Sequence, residues 1–124
     1  MSDQPKYIEL RPKIFNPDTI LVYLDKVDKQ FANAEIEYSN FKDQVQEVFD
    51  YVVSERMDNE KISVSLAKVK ASNDERYKKV KADFSKSHKL YLYYKIRSKL
   101  AHSYCENLKQ QSINVIATEK LTRN

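Results

Sequence analysis

An all-α fold, a long helical hairpin or coiled coil preceded by an extended N-terminal arm, is predicted by three features of the sequence. None of the 124 residues is glycine. Apolar residues recur in two long runs with steps that alternate between four and three. Charge is divided along the chain: residues 1–60 carry 7 Lys/Arg and 13 Asp/Glu, residues 61–99 carry 12 and 3, and residues 100–124 carry 3 and 2. Tight hairpins between strands favour Gly or Asn at positive φ, so a chain without glycine is poorly suited to a many-stranded sheet. A few long helices joined by few turns need no glycine. Its absence also excludes phosphate loops, dinucleotide fingerprints and nucleophile elbows, each of which needs backbone that a side chain would block. The length suits a single domain, 1–124, or one protomer of an assembly.

Residues 1–16 hold two of the three prolines, Pro5 and Pro12, around Tyr7-Ile8-Glu9-Leu10. Proline removes a donor and restricts the residue before it, so this segment reads as an extended arm with room for a short strand at 7–10. Asn16, Pro17 and Asp18 then mark a helix start: Asn caps orphan amides, Pro loses nothing in the first turn and Asp complements the dipole. From there Ile20, Leu24, Val27, Phe31, Ala34, Tyr38, Phe41, Val45, Val48 and Val52 form a seam of period 3.5, the spacing of a coiled coil. This long acidic helix is expected over 17–57. The segment 58–72 reads as a connector, because Ile62, Val64 and Leu66 alternate as in a strand while Leu66 and Val69 fit helical turns. Ser72 and Glu75 match the S-x-x-E capping box, which predicts a second, basic helix over 73–121. Its seam runs through Val80, Phe84, Ser87, Tyr91, Tyr94, Ser98, Ala101, Cys105, Leu108, Ser112 and Val115. Ile96, Leu100, Ile113, Ile116 and Leu121 add apolar surface beyond one seam, which is what a homo-oligomer assembled through such seams needs.

The stretch Arg76–Lys99 concentrates nine Lys and Arg against the single acid Asp83, with Tyr77, Phe84, Tyr91, Tyr93 and Tyr94 interleaved. Cations that track phosphates beside rings that stack on unpaired bases are the pattern of a single-stranded nucleic-acid surface. The seam claims Phe84, Tyr91 and Tyr94, which leaves Lys78, Lys81, Lys86, Lys89, Tyr93, Lys95, Arg97 and Lys99 as candidate nucleic-acid-binding residues. Lys81, His88, Lys95, His102 and Lys109 recur every seven residues, about 10 Å apart along a helix, and form a stripe beside the seam. The competing reading is that seam-flanking cations pair with the acids of the first helix, such as Asp25, Asp28, Glu35, Asp43 and Glu47, or with a partner's helix. In that case the chain is a coiled-coil adaptor, scaffold or chaperone.

No catalytic residues are expected. The acids are spaced as helix surface, and Cys105 sits on an apolar seam without an acid to complete a nucleophilic arrangement, so it reads as a buried, inert thiol. His102 and Glu106 lie one turn apart but lack a third ligand, so no metal and no other cofactor is expected. A lone cysteine allows no intramolecular disulfide and points to a reducing, cytoplasmic setting, the host cytoplasm if the chain is viral. No apolar run reaches the roughly 20 residues of a membrane span, and no apolar leader core is visible near Met1, so no membrane partner is expected.

Ile14-Phe15-Asn16-Pro17-Asp18-Thr19 with Leu21, and the closing stretch Leu90–Ile116 with Leu90, Tyr93, Ile96, Cys105, Leu108 and Ile113 at apolar positions, resemble the phage recombination mediator family of the UvsY type. The family carries Lys-x-Arg followed by tyrosines and a glycine near the end of its long helix. Here that place reads FDYVVSERM, without the lysine or the glycine, so the family's DNA-contact residues are not carried over. The resemblance implies an oligomer that binds single-stranded DNA, contacts a single-strand-binding protein and helps load a recombinase.

Overall fold

Three helices, α1 (Pro17–Glu60), α2 (Val64–Ser72) and α3 (Glu75–Thr122), make up the computed structural model, which describes residues 11–122. Of the described residues 90% are helical and none is in a strand, and the class is the predicted one, all-α with a long helical hairpin. Of the arm, residues 11–16 are non-helical; the strand considered at 7–10 lies outside the described residues.

The helix ends follow from local chemistry, with two departures from expectation. Asn16 caps α1 as predicted, its side-chain oxygen accepting from the amides of Asp18 (3.0 Å) and Thr19 (3.3 Å). The helix runs three residues past Met57, to Glu60, and stops where Lys61 turns left-handed at φ 52° while its amide still bonds the Met57 carbonyl at 2.9 Å. Glycine is the usual residue for that turn, and a chain without glycine places a lysine there. The first departure is the connector. Residues 58–72 contain the last turn of α1 and all of α2, capped by Ser63, whose hydroxyl accepts from the Leu66 amide at 3.2 Å. The second departure is the start of α3. Ser72 does not form a capping box: its hydroxyl donates back to the Lys68 carbonyl at 3.0 Å, and Asp74 caps the helix instead, accepting from the Arg76 amide at 2.9 Å. Asp accepts as well as Ser at an N-cap and adds a negative charge at the positive end of the helix dipole.

The chain divides into two compact units: a terminal unit, made of residues up to Ala32 together with those from Tyr93 onward, and a turn unit, Asn33–Leu92. In the terminal unit Ile20, Tyr23, Val27, Ala101 and Cys105 are buried together, with Phe15, Leu24, Tyr104 and Leu108 packed around them. Tyr23 was no part of the predicted seam, yet it is 4% exposed. The small side chains of Ala101 and Cys105 leave room for its ring, and burial raises the pKa of its phenol. Residues 11–15 return along α3: the Tyr104 hydroxyl donates to the Pro12 carbonyl, and the Arg11 guanidinium lies 4.4 Å from the Tyr104 ring centre.

In the turn unit Val52 and Val53 of α1 meet Ala67 and Ala71 of α2, with Val48, Phe49, Met57 and Ile62 around them. Alanines one turn apart let the α2 backbone come close to α1. Nine residues are too few for a helix to be stable alone, so this docking holds α2 in place. Further along, Tyr38 of α1 stacks on three α3 rings, Phe84 (5.4 Å), His88 (5.1 Å) and Tyr91 (4.8 Å).

Both predicted seams fall on buried or half-buried positions, except that Val115 is 57% exposed.

Candidate nucleic-acid interface

The eight residues expected to bind nucleic acid lie on one helix, α3, four in each unit. In the turn unit Val80 and Ser87 are buried and fix the inner face of α3. At 3.6 residues per turn, Lys78 and Lys89 project from the opposite face and Lys81 and Lys86 from its flanks, and all four are exposed. Lys79, absent from the expected set, is exposed beside them. Lys78 reaches Glu75 of its own helix at 4.0 Å, and Lys81 lies 5.7 Å from the ring of Tyr77, also on its own helix. Among the described residues Lys79, Lys81 and Lys89 make no ion pair.

The ion pairs that tie α1 to α2 and α3 in this unit gather instead around Asp74. Its carboxylate, 6% exposed, accepts from Arg56 at 3.1 Å and from Arg76 at 3.0 Å. Arg76 continues to Glu55 at 2.7 Å, Arg56 to Glu60 at 3.3 Å, and Lys70 closes on Glu60. The hydrogen bonds from Arg76, followed by those from Arg56, hold the Asp74 carboxyl well below the usual carboxylate range. Arg76 likewise lowers Glu55, and Lys70 lowers Glu60. The acids nearest the turn are therefore met by Arg56, Lys70 and Arg76, and Lys79, Lys81 and Lys89 take no part in that network.

In the terminal unit the arrangement differs. Ser98, Ala101 and Cys105 mark the inner face, and Ile96 (58% exposed) and Leu100 (55%) occupy the outer one. Lys95 and Lys99, both exposed, lie on one side of this apolar strip, and Tyr93 and Arg97, both half-buried, lie on the other. The ring of Tyr93 meets Tyr94 edge-on at 5.4 Å. These four residues belong to two flanks of the helix and do not converge.

The seven-residue stripe also resolves into different roles. His102 bonds the Asp28 carboxylate at 3.0 Å, and the buried Ser98 hydroxyl donates to the same group at 2.8 Å. His88 lies on Tyr38. Lys81, Lys95 and Lys109 are exposed. Cys105 is buried, which raises the pKa of its thiol. Among the described residues no group of three His, Cys, Asp or Glu side chains is placed to hold a metal, and no helix is long and apolar enough to cross a membrane.

The sequence reading missed a cleft of about 400 Å³ in the turn unit, between α1 and α3, lined by Tyr51, Arg76 and Lys79 over a floor of valines. Its residues come from two helices and share no local motif. The one available signal was Tyr51, an aromatic residue outside the seam spacing.

No protein-family model, no curated protein and no solved structure matches this chain.

Proposed function

We propose that the chain is a non-enzymatic, helical accessory protein that binds single-stranded nucleic acid through the exposed cations of α3, with the turn unit as the principal contact. The observation that carries this reading is the separation of charges in that unit. Acids at the end of α1 are met by Arg56, Lys70 and Arg76, while Lys78, Lys79, Lys81, Lys86 and Lys89 are exposed on α3. Of these, Lys79, Lys81 and Lys89 make no ion pair among the described residues, and such cations gain most from phosphates, whose condensed counterions are released on binding. The resemblance to UvsY-type proteins extends the proposal to a recombination or replication mediator, a phage protein that organises single-stranded DNA for a recombinase or single-strand-binding partner. Exposed Leu21 (67%), Val22 (66%) and Ile96 support self-association of the terminal unit into a homo-oligomer.

Fluorescence anisotropy with a labelled single strand tests the reading. Binding at about 50 mM salt should weaken steeply as salt rises, with a log–log slope of about −3 if four or five phosphates are contacted. No anisotropy change at micromolar protein and low salt would remove it. A second reading, an adaptor whose basic helix pairs with acidic helices, is favoured by the Asp28–His102 contact and the Lys70–Glu60 and Arg76–Glu55 pairs. It predicts capture of an acidic helical peptide that single-stranded DNA does not displace.

A further inference from the structure

The cleft between α1 and α3 of the turn unit has a construction that charge tracking alone does not require. Its floor is apolar, made by Val48, Val52 and Val80, and one wall is the ring of Tyr51, which is 64% exposed. So exposed a ring adds little to the core. It is nevertheless held: the Arg76 guanidinium carbon stands 5.9 Å from the ring centre, and Arg76 is itself fixed by Glu55 and Asp74. Lys79 stands at the rim with no ion pair among the described residues, and Gln44 and Asp83 supply the other polar groups. An apolar floor, an aromatic ring, a cation without an ion pair and a carboxylate one helical turn further along α3 suit a planar heterocycle that carries both a phosphate and N–H donors.

We propose that this cleft is a pocket for a single unpaired nucleobase of the bound strand. The base stacks on Tyr51 above the valine floor, the adjoining phosphate meets Lys79, and Asp83 accepts from an exocyclic amino group. The inference rests on the single-strand reading and deepens it. A fixed aromatic platform loses little freedom when a base stacks on it, so stacking adds to what phosphate contacts supply. A carboxylate favours bases that offer an amino group, such as cytosine, over thymine, which presents carbonyl oxygens beside its single N–H.

The test measures anisotropy for three strands of equal length: oligo-dC, oligo-dT and a strand of abasic sites with the same phosphates. The intact protein should bind oligo-dC most tightly and the abasic strand at least fivefold more weakly, the factor that about 1 kcal/mol of stacking produces. Tyr51→Ala should abolish the difference between dC and abasic strands without changing affinity for the abasic one, and Tyr51→Phe should keep it. Asp83→Asn should level dC and dT, and Lys79→Ala should weaken all three strands alike. Circular dichroism melts check that each variant is folded. Equal binding of all three strands by the intact protein, or a Tyr51→Ala variant that retains the preference for bases, overturns the pocket and leaves the phosphate reading standing. Binding of none of the three removes both.

Discussion

Replacing Asp74 separates the two roles that the structure gives this residue. Its carboxylate caps α3 by accepting from the Arg76 amide, and it is the buried acceptor for Arg56 and Arg76 side chains. Loss of an N-cap costs about 1 kcal/mol. Hydrogen bonds to a charged group are worth about 1.5–3 kcal/mol. Both arginines are partly exposed and keep Glu55 and Glu60 as partners, so the lower end of that range applies once for the pair. Asp74→Ala should therefore cost about 2–3 kcal/mol and lower Tm by roughly 8–12 °C for a chain of this size. Asp74→Asn keeps an acceptor at the cap and should cost about 1–2 kcal/mol. The carboxyl is held below its ordinary value of 3.8 in the folded state, so the unfolded chain takes up a proton first. The charge contribution is thus fully present above that value and disappears as pH falls through the folded pKa. Urea melts of all three proteins at neutral pH and again near pH 3 provide the assay. The gap between wild type and Asp74→Asn should narrow in acid. A gap that does not change with pH would refute the charge argument, and equal stability of the Ala and Asn variants would refute the cap.

Other outcomes are measurable in the same way. Lys61→Gly relieves the left-handed turn at φ 52° and should stabilise by about 0.5–1 kcal/mol, read as a higher urea midpoint. Ala67→Leu forces methylene groups between α2 and Val52, where Ala67 is fully buried, and should cost about 1–3 kcal/mol. Wild type should lose stability below about pH 4, because Glu55 and Glu60 are held below their usual values along with Asp74; a thermal melt series across acid pH checks this. Replacing Lys78, Lys81 and Lys89 together by Ala should leave Tm almost unchanged while reducing the salt slope of single-strand binding by about 2.

How much could be read in advance differs from element to element. The start of α1 was legible because Asn16, Pro17 and Asp18 act through backbone amides within one turn. The seams were legible because spacing along a helix decides which side chains share a face, whatever that face meets. α2 was not legible. Its alternating Ile62, Val64 and Leu66 resemble a strand, and what makes the segment helical is the docking of Ala67 and Ala71 on α1, a contact between residues far apart in sequence. Tyr23 was missed for a related reason: a ring fills the gap left by small residues on another helix, and periodicity within α1 carries no record of that gap. Among the site candidates, Lys78 and Lys89 fall opposite the seam by spacing alone, whereas spacing left open whether the cations flanking the seam face solvent or the acids of α1.

By itself, then, the sequence determined the helical class, the inner face of each long helix and the concentration of cations on the second, since all three depend on composition and spacing within one segment. Tertiary structure alone decided which cations are drawn into ion pairs and which remain exposed. It turned His102 onto Asp28 and Arg76 onto Glu55, left Lys79, Lys81 and Lys89 without an acid among the described residues, and set Tyr51 over a valine floor. The physical reason is that pairing and cleft formation depend on distances between separate helices, and those distances are set by the size of the side chains packed between them.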